Sequence, residues 1–519
     1  MRKFYALLFL VGMLVAAGVA LFQPSPGYMD ADYYFAGGVR LAEGHGFSEM
    51  VLWNYLDNPI SLPHGSHAYW MPLASILAAL GMGLTRTVSL SAARLGFLLI
   101  AAFIPPLTAF LSYSMTNRRD LALAAGFFAV FCGYYVPYIS TTDTFGIYML
   151  LGLIFMLLVG FGLAHAEFRW RLGVSIGLGV IAGLIHLSRA DGVLWFVMAV
   201  LAVLFLPKSN VKLRLVSLAF VILGYALIMA PWFSRNMVEF GTPLAPGGNR
   251  VLWLTSYDQT FSYPAGKLTF TAWLESGWSS IVNARLDALK WNLQTAWAVQ
   301  GMIFLLPFVL TGVWIYRRDL RVQIGAIAWS LTFAVMTLVF PFAGSRGGFL
   351  HSGAALQPLW WTLAPVGFDR LINWAEAKRG WKKGQALKVF LVGFIGIALM
   401  MSGILFYERV FAQPGWGYES AHYRRVESFI EQSRASAADV VMVGNPPGYF
   451  IASDRPAIAV PNENLDTALE LAERFGARFL ILEKDGTPQP LQEVYDNPTS
   501  FSSIQYLGEI DGARIFAIP

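Results

Sequence analysis

Apolar runs of about 17 residues or more recur along most of this chain, each long enough to cross a ~30 Å hydrocarbon layer as a helix. Nothing else in the sequence constrains its fold so strongly, because water rejects such surface and only lipid or a protein interior accepts it. Of 519 residues, 56% are apolar and 13% charged, against ~25% charged in soluble domains. A transmembrane barrel would instead show ~10-residue segments of alternating polarity. The fold class is therefore a polytopic α-helical membrane protein.

About eleven spans are expected, at residues 4–22, 90–113, 121–137, 145–164, 172–187, 192–206, 215–231, 298–316, 322–340, 356–372 and 388–406. Met1-Arg-Lys before the first span imitates a signal peptide. The apolar stretch exceeds the usual ~7–15 residues, however, and reads as an anchor. Basic clusters fall in alternate loops: Arg2-Lys3, Arg118-Arg119, Arg169 with Arg171, Lys208/Lys212/Arg214, Arg317-Arg318 with Arg321, and Lys378-Arg379 with Lys382-Lys383. Positive loops face the cytoplasm, so the net charge of +5 encodes orientation rather than a nucleic-acid surface. The lone cysteine, Cys132, lies within an apolar run, which excludes an internal disulfide and a thiolate metal cage.

The domain reading follows. Residues 1–406 form a membrane module with a first outer loop at 23–89 and a large outer loop at 232–297. Residues 407–519 form a soluble α/β domain outside the membrane. Within the first loop, 30–43 has helical character closed by Gly44 and Gly46, and 71–84 suits an interfacial helix. In the tail, 418–434 and 464–475 read as amphipathic helices, and 439–444, 478–483 and 513–518 as strands.

The residues able to carry chemistry gather in the outward segments. Asp30 and Asp32 stand in Tyr28-Met-Asp-Ala-Asp-Tyr-Tyr34, after a Pro-rich hinge, and Asp143 opens the fourth span. An Asp at a helix start is also a common N-cap, a reading open for Asp30 and Asp143. Arg189, Arg235 and Arg346 occupy the face that the charge rule leaves poor in arginine. Ionisable groups at that depth raise a functional-site hypothesis, and guanidinium groups suit phosphate. Their structural alternatives are pairing with Asp191 for Arg189 and with Glu239 for Arg235. His64 and His67, three apart in a loop, suit substrate hydrogen bonding or loop packing better than a divalent metal. Trp53, Tyr55, Tyr69 and Trp70 are able to stack on sugar faces, although aromatics also collect at membrane interfaces. No Walker loop, no dinucleotide fingerprint after a strand and no nucleophile elbow is present. No cofactor is expected, and an outward site would draw its activated substrate from a lipid.

Four patterns resemble the GT-C superfamily of integral-membrane glycosyltransferases, in particular bacterial relatives of the dolichyl-phosphate-mannose protein mannosyltransferases and the aminoarabinose transferases. They are Met29-Asp-Ala-Asp-Tyr-Tyr34 with Leu41-Ala-Glu-Gly-His-Gly-Phe47, Leu187-Ser-Arg-Ala-Asp-Gly192, Ala230-Pro-Trp-Phe-Ser-Arg-Asn236 with Phe240-Gly-Thr-Pro243, and Asn445-Pro-Pro-Gly-Tyr-Phe450 with Asp454-Arg-Pro-Ala-Ile-Ala-Val-Pro461. The resemblance implies inverting transfer of a mannose-like sugar from a polyprenyl-phosphate donor to an extracytoplasmic protein or glycolipid acceptor. It makes a first-loop Asp the base, with Asp30 ahead of Asp32 because Tyr33 and Tyr34 follow at the family's offset. Asp-Ala-Asp replaces the family's Asp-Glu, which leaves the division between the two open. Asp143 would orient the acceptor, Arg189, Arg346 and Arg235 would hold the donor phosphate, and His64, His67, Tyr33 and Trp70 would line the substrate. Partners are then the lipid-linked donor, the acceptor and membrane lipids, without nucleic acid, in a bacterial-type inner membrane. The competing readings are a lipid-linked glycan ligase or polymerase of another fold, and a transporter or envelope scaffold.

Overall fold

The computed structural model describes residues 2–162, 168–205, 210–412, 414–433 and 435–519. The ends of the expected spans 145–164 and 192–206, together with Lys208 and Arg434, lie outside the described residues. The chain divides into two compact units. One comprises Met1–Phe22, Arg94–Val238 and Arg285–Ala412; the other comprises Gln23–Ala93, Glu239–Ala284 and Gln413–Pro519.

The first unit is a helical bundle. Among the described residues, six helices are long and apolar enough to cross a membrane: Arg2–Leu21, Leu90–Thr116, Arg169–Ser188, Val211–Phe240, Leu320–Val339 and Lys383–Val410. Shorter apolar helices at Thr144–Gly160, Ala190–Leu204 and Leu306–Ile315, with Arg119–Val130 and Gln357–Arg379, fall on the remaining expected spans. Two differ in form. The span expected at 298–316 is broken, a π-helical turn at Thr295–Gln300 preceding helix Leu306–Ile315. Helix Val211–Phe240 runs on through Pro231, so Arg235 sits on a helix rather than in a loop after a span.

Helices in this bundle approach closely where side chains are missing, since lipid offers no hydrophobic force to drive them together. A Cβ on Gly179 would meet the Val221 carbonyl, and one on Gly224 would meet that of Ile176, so this pair of glycines brings two helices into backbone contact. Leu14, Leu223, Trp314 and Val392 are exposed, as residues facing lipid tails are.

The second unit combines residues 23–93, residues 239–284 and the tail. Its strands are β1 Ser48–Glu49, β2 Val51–Leu52, β3 His64–Gly65, β4 Val440–Val443, β5 Ala457–Ala459, β6 Ala477–Glu483, β7 Gln505–Ile510 and β8 Ala513–Ala517. β1 pairs antiparallel with β3, and the other six form one sheet in the order β2-β5-β4-β6-β8-β7. β2, β5, β4 and β6 run parallel, whereas β8 pairs antiparallel with β6 and with β7. Sequence patterning placed the tail apart from residues 23–89; here β2 of that loop is the sheet's edge strand, in register Val51↔Ala457 and Leu52↔Ile458. A two-residue strand carries too little periodicity to be read beforehand, and β5 needs a partner for its open edge.

Both faces of the sheet are covered. Helix Leu465–Phe475 packs Ala468, Leu471, Ala472 and Phe475 against Met442, Ile458, Leu480 and Leu482. On the opposite face Tyr423, Val426 and Ile430 of helix Tyr418–Gln432 meet Val441, Val443, Phe479 and Ile481. Alternation along β4 and β6 sends successive side chains to opposite layers. A buried ion pair locks this second layer: Arg455 Nη2 donates to Glu427 Oε1 at 2.6 Å, and the Tyr449 hydroxyl donates to Oε2 at 2.6 Å.

Candidate active site

In the second unit the acidic motif opens helix Met29–Ala42. Tyr28, with extended backbone, occupies the N-cap position. Asp30 and Asp32 therefore lie inside the first turn, and Asp30 is not the cap that its position allowed. Carboxylates there suit the positive end of the helix dipole. Asp30 is half-buried; Asp32 is buried.

Asp32 sits among acids. The Asn445 amide nitrogen donates to Asp32 Oδ2 at 3.2 Å and to Glu419 Oε1 at 3.0 Å, and the Gly27 N–H donates to the Asp32 carboxylate. Burial, then Glu419, pushes Asp32 well above the usual carboxylate range, and the hydrogen bonds from Asn445 and Gly27 offset part of that rise. Burial likewise raises Glu419. Glu483, at the end of β6, is pushed up to about 7 by burial and by Glu419. The sequence pointed to Asp32 but missed Glu419, Glu483 and Asn445, which lie some 400 residues away along the chain (|i−j| 413 for Asn445). The Asn445-Pro-Pro-Gly pattern was the available signal.

Four residues expected to line substrate are brought together, although largely against one another. The Tyr33 hydroxyl donates to Glu49 Oε2 at 2.7 Å and accepts from the His67 N–H at 2.7 Å. Both ring nitrogens of buried His67 are engaged, by Ser66 at 2.8 Å and Ser75 at 3.1 Å. Trp70 stacks on Trp53 with centroids 4.1 Å apart and meets Tyr33 edge-on at 5.0 Å. One face of each indole is thus used within the protein. His64 Nε2 lies 2.6 Å from Asp57 Oδ2, so this loop geometry is that of packing.

In the first unit, a kinked turn organises the remaining candidates. Gly344–Gly348 forms a π-helical turn whose regularity fails at Arg346 and at Gly347 (φ 112°), and such turns are frequent at functional sites. Arg346 is exposed on it. The next helix, Phe349–Gly353, supplies two residues that the sequence did not single out. His351 Nδ1 donates to the Gly347 carbonyl at 2.9 Å, and its Nε2 lies 3.2 Å from Asp143 Oδ2. The Ser352 hydroxyl lies 2.5 Å from Asp191 Oδ2, while Asp191 Oδ1 accepts from Arg189 Nε at 3.0 Å.

Asp143 is the N-cap of helix Thr144–Leu157, accepting from the Thr144 N–H, and its side chain is fully buried. The cap and the histidine contact use different oxygens, so the structural reading of Asp143 stands beside the functional one. Arg189 has the Asp191 partner expected of it, with the guanidinium 6.0 Å from the Tyr148 ring. Arg235 bonds Asn236 at 3.1 Å and lies 5.0 Å over Trp232. Through His351 and Ser352 the turn carrying Arg346 is therefore tied to both Asp143 and the Arg189–Asp191 pair.

No protein-family model matches the sequence, and no curated protein does. Solved structures do match in fold. The oligosaccharyltransferase AglB from Archaeoglobus fulgidus, in complex with an inhibitory peptide and a dolichol-phosphate, superposes with a TM-score of 0.59 at 13% identity, over 95% of this chain and 70% of its own. ArnT from Cupriavidus metallidurans, bound to undecaprenyl phosphate, gives 0.56 at 12% identity over 99% of this chain and 97% of its own. Its apo state gives 0.54 at 12% identity over the same shares, 99% and 97%. The chain is a multi-pass membrane protein with the GT-C glycosyltransferase fold, the one that its sequence patterns resemble.

Proposed function

We propose that this protein transfers a sugar from a polyprenyl-phosphate donor to an acceptor outside the membrane. The observation that carries the reading is the match along almost the whole chain to a structure solved with undecaprenyl phosphate. In the proposed reaction Asp30 takes the proton of an acceptor hydroxyl as its oxygen attacks the anomeric carbon. The bond from that carbon to the phosphate oxygen breaks, and its electron pair leaves on the phosphate. Hydrolysing a glycoside normally needs a second carboxylic acid to protonate a poor leaving group. A lipid phosphate departs without a proton, so one base suffices, and the departing charge calls for cations.

Arg346 supplies the most accessible of these cations. Arg189 is held in one orientation by Asp191, which suits a preorganised donor site. Arg235 is assigned to the same role. The donor sugar is assigned as mannose-like on the resemblance of the motifs, and the acceptor as protein or glycolipid. The reaction is carried by the chain's own side chains, without a cofactor. Polyprenyl-phosphate sugars that accumulate in membranes when the protein is removed, identified by mass spectrometry, would name the donor. An unchanged lipid profile counts against transfer.

The proposed orientation places the tail outside an inner membrane. Cys132 is the only cysteine and is buried, so the background is low. A cysteine at exposed Ser500 should react with an impermeant maleimide added to spheroplasts, and protection of that site would reverse the orientation.

A further inference from the structure

Two parts of the second unit, the acidic motif and the tail, meet at one amide. We propose that Asn445 is a positioning residue: by holding Asp32 it fixes the first turn of helix Met29–Ala42, and with it the stance of Asp30. The tail is then a working part of the transfer machinery rather than an appended domain. This inference rests on the functional reading above and deepens it.

The Asn445 side chain has no spare polar group. Its oxygen accepts from the Gly448 N–H at 3.0 Å, while its nitrogen donates to Asp32 at 3.2 Å and to Glu419 at 3.0 Å. A flipped amide would set its oxygen against two carboxylates and its hydrogens against an N–H, so this hydrogen-bond set fixes the orientation. The approach is also tight. A Cβ at Gly448 would stand 2.5 Å from Asn445 Nδ2 and 3.0 Å from Asp32 Oδ2, so a side chain there would displace the amide from the carboxylate.

Asn445 is itself placed by backbone pairing. It follows β4 by two residues, β4 pairs with β5, and β5 pairs with β2 of the first loop. A second tail residue braces the hinge on the other side of the motif. Trp416 Nε1 donates to the Ser25 carbonyl at 2.9 Å, and its ring fills the space that a Cβ on Gly27 (φ 107°) would need. Gly27 in turn donates to Asp32. Asp32 therefore joins three segments: the hinge, the helix start and the tail. The titratable groups that act on Asp32 are Glu419 and Asp30, and Glu419 in turn neighbours Glu483 and Tyr423, whose hydroxyl donates to it. The Asn445 amide donates to Asp32 and Glu419 at once, and so lies between two mutually repelling carboxylates.

The test uses the full chain in lipid vesicles, with undecaprenyl-phosphate mannose as donor probe and membranes from a strain lacking the protein as acceptor. Asn445→Ser keeps a capping oxygen but withdraws both donors. The expected result is a folded protein whose kcat falls about 10- to 100-fold with KM for the donor unchanged. Asp32 should bind its proton more tightly, because a donor to its ionised form is gone, and the acid limb of the pH–rate profile should shift as the charge beside Asp30 changes. Amide exchange over residues 27–34 should quicken as well, a readout that needs no activity. Gly448→Ala should reproduce these effects, and it serves if Asn445→Ser fails to fold. Unchanged kcat, pH limb and exchange in the folded variants would overturn the inference. Asp30→Asn separates the two levels. If it is inactive while Asn445→Ser is normal, the positioning role is wrong; if it transfers normally, the functional reading is wrong. Should the wild type transfer nothing from this probe, the exchange measurement alone decides.

Discussion

Both units pair buried acids with cations, Glu427 with Arg455 in the second among them, but among the described residues only the second also crowds acids against one another at its candidate site. In the membrane unit Asp143, Asp191 and Asp319 each meet a cation or a hydrogen-bond donor. Asp143 meets His351, Asp191 meets Arg189 and Ser352, and Asp319 meets Arg321, whose guanidinium also reaches Ser114. In the second unit Asp32 and Glu419 share one asparagine amide, and Glu483 lies beside Glu419. An uncompensated ion in hydrocarbon is costly enough to require a partner. Acids buried together instead raise one another's proton affinity. The contrast separates acids held by fixed cationic or hydroxyl partners from a cluster in which each carboxylate raises its neighbour's proton affinity.

The largest test of that contrast is Asp30→Asn, expected to lower transfer about 10³-fold with unchanged thermal unfolding. Arg346→Ala in the membrane unit should cost about 10²-fold, and Arg346→Lys should recover part of it. Equal, small losses in both would erase the division of labour between base and phosphate holder. Radiolabel transfer in vesicles measures both variants.

Next comes stability. Glu427→Ala leaves Arg455 buried without its carboxylate, a loss of about 3–5 kcal/mol. The effect should appear in the unfolding of the second unit alone, followed by limited proteolysis of the tail.

A smaller effect concerns pH. Glu483 has an ordinary value of 4.5 and is pushed up to about 7 by burial and by Glu419. The folded state thus holds its proton more tightly than the unfolded chain. The stabilisation is complete below about pH 4.5 and is lost as pH rises through about 7. The melting temperature of the second unit should fall between those limits, and Glu483→Gln should flatten the slope. A slope unchanged in that variant would assign it elsewhere.

The smallest expected effect is none at all. Chelation of divalent cations should leave the transfer rate unchanged, and a loss restored by added metal would reopen the His64 and His67 reading.

Much of this was legible in the sequence. Apolar length marks helices, because a run of that size has few other stable surroundings. The amphipathic helix at 465–475 was readable from its three-and-four spacing, and Asn464 and Gly476 bound it as cap and stop. β2 and β5 were not readable, since two or three residues carry no period and their pairing joins segments some 400 residues apart (Val51↔Ala457). The Asp-Ala-Asp motif announced acidic chemistry but not which acid is held and which acts. Likewise Arg189 could be paired with Asp191 from proximity in sequence, whereas His351 and Ser352 carried no such signal.

The sequence by itself thus determined the helical membrane fold and the acidic and basic candidates, because hydrophobic length and local spacing are properties of contiguous residues. Only the tertiary structure decided that the tail sheet takes a strand from the first loop, that Asn445 grips Asp32, and that one kinked turn links Asp143 to Arg189. Those relations depend on backbone pairing and hydrogen-bond geometry between distant segments, and such distances are set only when the chain has folded.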